Sequence, residues 1–247
     1  MVDRLNRSVH VAPDAAEAAA AVAERLVRLS DGARARRGSF GVAVSGGRTP
    51  EALFRELAGR ADGPTLWPDW QLFCVDERLV PPDDPRSNLG LARRLWLAPA
   101  GFPEENVHPI PTDVPPEEAA RRYEATLRTF FGRSGRSTFD AVVLGVGVDG
   151  HTASLFPGAP TLDARDRWVV AEPRPAQPPE VPRITLTLEA LGHARTAIFL
   201  VCGTEKREVL ARLLPGTPAP RSDLPAARVA PSESVEWFVD RDAAGQP

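Results

Sequence analysis

A chain of 247 residues, 43% hydrophobic and 26% charged, with a formal net charge of −3, has the balance of an ordinary globular protein. That charge leaves no basic footprint for nucleic acid or an anionic membrane surface, and no apolar run reaches the ~18–20 residues of a membrane span. A chain this long buries roughly 70–75% of its extended surface and needs no staples. The two cysteines, Cys74 and Cys202, each sit in an apolar run and read as small buried strand residues, not as a disulfide or a metal knuckle. With no signal-peptide core at the N-terminus, the cytosol is the expected compartment.

Residues 14–29, DAAEAAAAVAERLVRL, predict a helix capped by Asp14 and ended by Gly32. FGVAVS, residues 40–45, is an apolar strand that runs into Gly46-Gly47. Thr49 then reads as an N-cap and Pro50 as the first residue of a second helix. WQLFCVDE repeats the pattern, with a strand ending in Asp76-Glu77-Arg78. A proline-rich loop follows, and Ser87 or Asn88 opens the helix NLGLARRLWL. PPEEAARRYEATLRTFF is helical, with acids in its first turn. FDAVVLGVG is a buried strand, RWVVAE and RITLTL are strand-like, and TAIFLVCG is a strand that leads into the helix TEKREVLARLL. SVEWFVD closes the chain as a strand. The proline-rich stretches 81–85, 173–182 and 215–225 read as surface loops, so residues 1–247 are expected to form a single domain.

Strands alternating with helices imply a mostly parallel sheet with helices on both faces. In such a sheet ligands bind beyond the carboxyl ends of the strands. Four apolar strands end in polar groups: Ser45-Gly46-Gly47-Arg48-Thr49, Asp76-Glu77-Arg78, Gly147-Val148-Asp149-Gly150-His151 and Gly203-Thr204-Glu205-Lys206.

Gly145, Gly147 and Gly150 have the spacing of a dinucleotide fingerprint, and Glu172 stands where a ribose-binding acid would. The helix that should start at the third glycine is cut short by Pro157 and Pro160, so a tight turn close to a ligand is the better reading. His151 follows a strand end two residues after Asp149, where a carboxylate can orient an imidazole acting as general base. His10, His108 and His193 read as surface or capping residues. Ser45 lacks the first glycine of a nucleophile elbow. Gly46-Gly47 before a helix start instead suits a single phosphate group.

VSGGRTP, DERLVPPDDPRSN, LGVGVDGHTASLFPG, PRITLT and CGTEK, in this order and spacing, resemble the 6-phosphogluconolactonases from about residue 10 to 240. These belong to a larger group that includes the glucosamine-6-phosphate deaminases. The resemblance implies a Rossmann-like doubly wound α/β fold, no metal or other cofactor, and hydrolysis of a sugar-phosphate lactone in the oxidative pentose phosphate pathway. It implies catalytic roles for His151, Asp149, Asp76 and Arg78. It places Ser45, Gly46, Gly47, Arg48, Asn88, Arg183 and Lys206 on the substrate and its phosphate; Arg48 stands where a small residue is usual. The deaminase-like relatives carry a proton-moving Glu before the proline, where this chain has Phe156. A sugar-phosphate sensor would be expected to lack the histidine or to carry a DNA-binding domain. The expected partner is a small sugar-phosphate lactone, with neither nucleic acid nor membrane, and the expected state is a monomer or weak dimer.

Overall fold

The computed structural model describes residues 6–133, 138–173, 175, 177–214 and 223–246. Its elements run β1 (Asn6–Ala12), α1 (Ala15–Arg37), β2 (Phe40–Val44), α2 (Pro50–Ala58), α3 (Gly63–Leu66), β3 (Trp70–Cys74), β4 (Asp76–Arg78) and α4 (Asn88–Ala92). They continue with β5 (Val107–His108), α5 (Pro116–Arg133), β6 (Ala141–Leu144), β7 (Val169–Glu172), β8 (Arg183–Leu186), α6 (Leu188–Gly192) and β9 (Thr196–Val201). Last come α7 (Arg207–Leu213), α8 (Pro225–Arg228), β10 (Ser234–Asp240) and α9 (Arg241–Ala244).

Seven strands form one sheet in the order β1-β10-β9-β6-β2-β3-β5, and every neighbouring pair is parallel. From β2 the chain builds outward through β3 to β5. It then returns to the other side of β2 and builds outward again through β6, β9 and β10. This is a doubly wound sheet flanked by helices, and its order reverses between β2 and β6. The central strands β2, β6 and β9 are buried along their whole length, which is why they read as unbroken apolar runs. Apart from Val80 and Phe156, the buried hydrophobic side chains among the described residues join into one cluster that spans the chain from Ala18 to Ala243.

Besides adding the edge strands β1 and β5, which the sequence reading lacks, the structure departs from that reading in five respects. First, α1 runs through Gly32 to Arg37 and ends at Gly38 in the left-handed conformation, φ 75°. Burial of Val27, Ser30 and Ala33 on the same helix outweighs the ~1 kcal/mol helix penalty of a glycine. The Asp14 cap is present, its Oδ1 accepting from Glu17 N–H at 2.9 Å. Second, Thr49 makes no side-chain cap, although Pro50 does open α2. Third, WQLFCVDE is two strands. Val75 donates to Val44 C=O in the main sheet and accepts from Leu186 N–H in another, so the chain changes sheets there. Fourth, RITLTL and RWVVAE lie outside the parallel sheet, in a three-stranded antiparallel sheet ordered β4-β8-β7. Fifth, His108 is a half-buried strand residue stacked on Phe73, whereas His10 is a surface residue as read, on the exposed face of β1 against Phe238, and His193 sits exposed at a helix end. Residues 174 and 176, and 215–222 of the expected loop 215–225, lie outside the described residues.

Tyr123 ties α5 to β3. Its buried hydroxyl accepts from Cys74 N–H at 3.0 Å and donates to Cys74 C=O at 2.9 Å, taking the place of a strand partner beyond the short β5. Tyr123→Phe leaves both backbone groups buried and unpaired, so a loss of about 1–3 kcal/mol in unfolding free energy is expected. Urea denaturation checks this, and an unchanged midpoint would show that water replaces the hydroxyl.

Candidate active site

The parallel strands all deliver their carboxyl ends to one edge of the sheet. There a cavity of about 420 Å³ opens over the switch point between β2 and β6. It is lined by Ser45–Pro50 after β2, Asp76 and Arg78, Asn88, Gly145–Gly147 and His151 after β6, Arg183, and Gly203, Glu205 and Lys206 after β9. Ten of the eleven residues singled out from the sequence therefore meet in one cavity. The eleventh, Asp149, stands behind His151.

The turn after β6 is built around the imidazole. Gly147 N–H donates to His151 C=O at 2.8 Å, and Thr152 Oγ1 donates to Gly145 C=O at 2.9 Å. Asp149 Oδ1 accepts from His151 N–H at 3.1 Å and meets His151 Nδ1 at 2.6 Å. Burial raises the Asp149 carboxyl, but the hydrogen bond and charge of His151 outweigh it and hold the group at about 2. An ionised carboxylate has no proton to give. Nδ1 is therefore the donor, and Nε2 is left for the cavity. The Phe156 ring lies against the imidazole, with centroids 4.8 Å apart. No helix follows Gly150: a bridge between Thr152 and Leu155 comes next, then a short 3-10 turn at Pro160–Asp163. Glu172 is buried, accepts from Thr161, and takes no part in lining the cavity.

Gly147 is needed here for space. A Cβ at this position would stand 2.0 Å from His151 Nδ1 and 2.6 Å from Asp149 Oδ1. Gly147→Ala should leave the fold intact and push the imidazole aside, lowering kcat by about 10²-fold, as a misplacement of ~1 Å can. Steady-state kinetics beside circular dichroism tests this; parental kcat would mean that the turn relaxes without moving His151.

Across the cavity, Gly47 takes φ 99° before the start of α2. A Cβ on Gly46 would meet Asn88 Oδ1 at 2.1 Å, so glycine lets Asn88 lie over the turn. Among the described residues the amides of Gly46, Gly47 and Arg48 find no acceptor, and Ser45 Oγ and Asn88 Oδ1 are buried without a partner. Lys206 sits in the short turn Thr204–Lys206 at the start of α7. Burial pushes its ammonium below the usual lysine range; Glu205 and Asp149 pull it up and Arg48 pushes it down. No ion pair engages Arg48, Arg78 or Lys206 among the described residues. Free amides, a helix start and unpaired cations form a cradle for an anion.

The junction of the two sheets supplies the third wall. Arg78 makes no ion pair with Asp76 or Glu77. Its Nη1 donates to Arg86 C=O, and its Nε is buried and unpartnered. Arg183, opposite Arg78 in the β4–β8 register, is only 3% exposed, and its Nε is also unpartnered. Burial lowers the Arg183 guanidinium, while the Asp76 carboxylate works against that. Asp76 accepts from Ser154 Oγ at 2.6 Å and from Asn88 Nδ2.

Sequence reasoning missed Ser154 at this wall, and it marked the strand end Asp76-Glu77-Arg78 without giving Glu77 a role. Buried Ser154 links Asp76 to Arg183 Nη1, and buried Glu77 accepts from Arg78 N–H, Ser87 Oγ, Asn88 N–H and Leu89 N–H. Burial pushes the Glu77 carboxyl up against those four bonds. Glu77 stood beside the signalled Asp76 and Arg78, but its partners lie in a loop whose path no local pattern gives. Among the described residues no three His, Cys, Asp or Glu side chains gather as metal ligands do, and no helix is long and apolar enough to cross a membrane.

A doubly wound sheet that holds an imidazole–carboxylate pair and an anion cradle at its switch point is the layout of an enzyme for a small anionic substrate. The family described as glucosamine-6-phosphate isomerases/6-phosphogluconolactonase matches residues 13–237, and the chain belongs to it. It is 42% identical to a 6-phosphogluconolactonase of Homo sapiens over 227 residues, 90% of this chain and 85% of that one. It is 39% identical to a 6-phosphogluconolactonase of Synechocystis over 215 residues, 85% of each. A solved 6-phosphogluconolactonase from Thermotoga maritima matches with a TM-score of 0.81 at 31% identity, covering 95% of this chain and 100% of that chain.

Proposed function

We propose that this protein hydrolyses 6-phospho-D-glucono-1,5-lactone to 6-phospho-D-gluconate, with His151 as the general base on water. The observation that carries the reading is the short Asp149–His151 contact facing an anion cradle across a cavity of sugar-phosphate size. A δ-lactone is an activated ester, so a positioned water, a base and a stabilised oxyanion are enough. Nε2 of His151 takes the proton as the water oxygen bonds to C1. Asp149 holds Nδ1–H and offsets the charge of the imidazolium. The Arg78 guanidinium faces the charge that develops on the carbonyl oxygen. The C1–ring-oxygen bond then breaks, the ring oxygen is protonated, and the new carboxylic acid ionises.

Ser45, Gly46, Gly47, Arg48 and Lys206 hold the phosphate, and Asp76, Asn88 and Arg183 hold the rest of the sugar acid. The lining residues described all come from one chain, which suits a single-domain monomer or weak dimer, and the compartment proposed for it is the cytosol. The deaminase reading needs a proton carrier where the buried Phe156 ring stands, and phenyl carries no proton. A pH-stat assay on freshly generated lactone tests the proposal. Acid release well above the spontaneous rate supports it. Ammonia release from glucosamine 6-phosphate would select the deaminase instead, and binding without turnover a sensor.

A further inference from the structure

The loop between β7 and β8 reaches the Asp149–His151 pair from behind. Gln177 Nε2 donates to Asp149 Oδ2 at 3.2 Å, while Oδ1 is the oxygen engaged with His151. The carbonyl of the same Gln177 accepts from Arg183 Nη2 at 2.7 Å, and Pro179 C=O accepts from that nitrogen at 3.3 Å. Gln177 takes no part in lining the cavity, whereas Arg183 does. A single residue thus touches the carboxylate of the pair with its side chain and a cavity arginine with its backbone.

The geometry points to Gln177 as a positioning residue for the Asp149–His151 pair, held in place by Arg183. The inference rests on the lactonase reading and adds to it a residue outside the substrate cavity. An aspartate carboxylate turns easily about its last torsion, because that well is broad. Both His151 contacts fall on Oδ1, so one oxygen acts as a pivot and only a partner on Oδ2 fixes the carboxylate plane. A neutral amide suits this task. It donates one hydrogen bond and leaves the negative charge of Asp149 to balance the imidazolium; a lysine or arginine there would compete for it. Arg183 anchors the loop through two carbonyls, so the clamp and a cavity wall share one support. Without the amide, Nε2 spends less time aligned on the water. The cost falls on the chemical step and not on binding.

The test is Gln177→Met, which keeps the length of the side chain and removes the donor, alongside Gln177→Glu, which sets an acceptor against an acceptor. In Gln177→Met, kcat for the lactone should fall about 5–30-fold with KM within about twofold, the split expected of lost positioning. Gln177→Glu should lose more, since two carboxylates at this separation repel. Proton NMR of the full-length protein gives a readout apart from turnover. The downfield His151 Nδ1–H resonance of the parent should broaden in both variants. Parental kcat with an unchanged resonance in folded Gln177→Met overturns the proposal. An equal rise in KM also overturns it, because Gln177 would then serve substrate binding. If the parent fails to open the lactone, the functional reading falls, while the resonance still decides whether Gln177 orders the pair.

Discussion

His151→Ala should fold like the parent and lose about 10²–10⁴ in kcat, the usual worth of a general base. Folding should survive because the turn uses the backbone of residue 151. Its carbonyl accepts from Gly147 N–H and its amide donates to Asp149 Oδ1, and alanine keeps both bonds. The turnover should not survive, because no other imidazole lines the cavity. Asp149 loses the hydrogen bond and charge of His151 in this variant, and an ordinary carboxylate is a weak base for water at neutral pH. Stopped assays against the spontaneous hydrolysis of the lactone, with circular dichroism as the folding control, measure the loss. Turnover within threefold of the parent would take His151 out of the mechanism.

Removing the phosphate from the substrate should cost on the order of 10²–10⁴-fold in kcat/KM, since each charge-assisted hydrogen bond is worth roughly 1.5–3 kcal/mol and several are lost together. The cradle is costly without its ligand. Lys206 is half-buried, with an ammonium pushed below its usual range, and Ser45 Oγ and Asn88 Oδ1 are buried without partners. A phosphate dianion relieves these penalties at once, so part of the benefit appears in kcat, as the anchored lactone presents C1 to the water. Lys206→Ala should slow hydrolysis of 6-phosphogluconolactone and leave the poor reaction of glucono-δ-lactone almost unchanged. The four rate constants form a double-mutant cycle with the phosphate as one partner. Equal slowing of both substrates would assign Lys206 to the scaffold or to the chemical step.

Most of the candidate site was legible, in that its residues line one cavity, because buried parallel strands announce themselves. FGVAV and AVVL carry no polar side chain and TAIFLV only its first, Thr196, so the first polar residue after each marks the edge where ligands bind. What stayed hidden depends on pairing at long range. β1 is an edge strand with a largely exposed face, so NRSVHVA carries no core signal. The β4–β8–β7 sheet joins segments a hundred residues apart, and nothing in DER or RITL tells which strand it will meet. Ser154 and Gln177 were missed for the same reason: a buried serine and a glutamine in a proline-rich loop acquire meaning only from Asp76 and Asp149 beside them. Thr49 was misread because threonine before Pro50 has the composition of a cap without its torsions. The Asp149–His151 pair, by contrast, is local, and two residues of separation in a glycine turn sufficed to show it.

The bond from Gly147 N–H to His151 C=O gives the protein a built-in reporter. That amide can trade its hydrogen for deuterium only when the turn opens, and opening carries the imidazole away from its working position. The protection factor of one backbone proton therefore counts how often the machinery is assembled in the resting protein. A sugar phosphate that binds only the assembled turn must, at free concentration c, raise that protection by RT ln(1 + c/Kd), so the protection tracks the occupancy of the site. The readiness of the site can thus be read without any turnover at all.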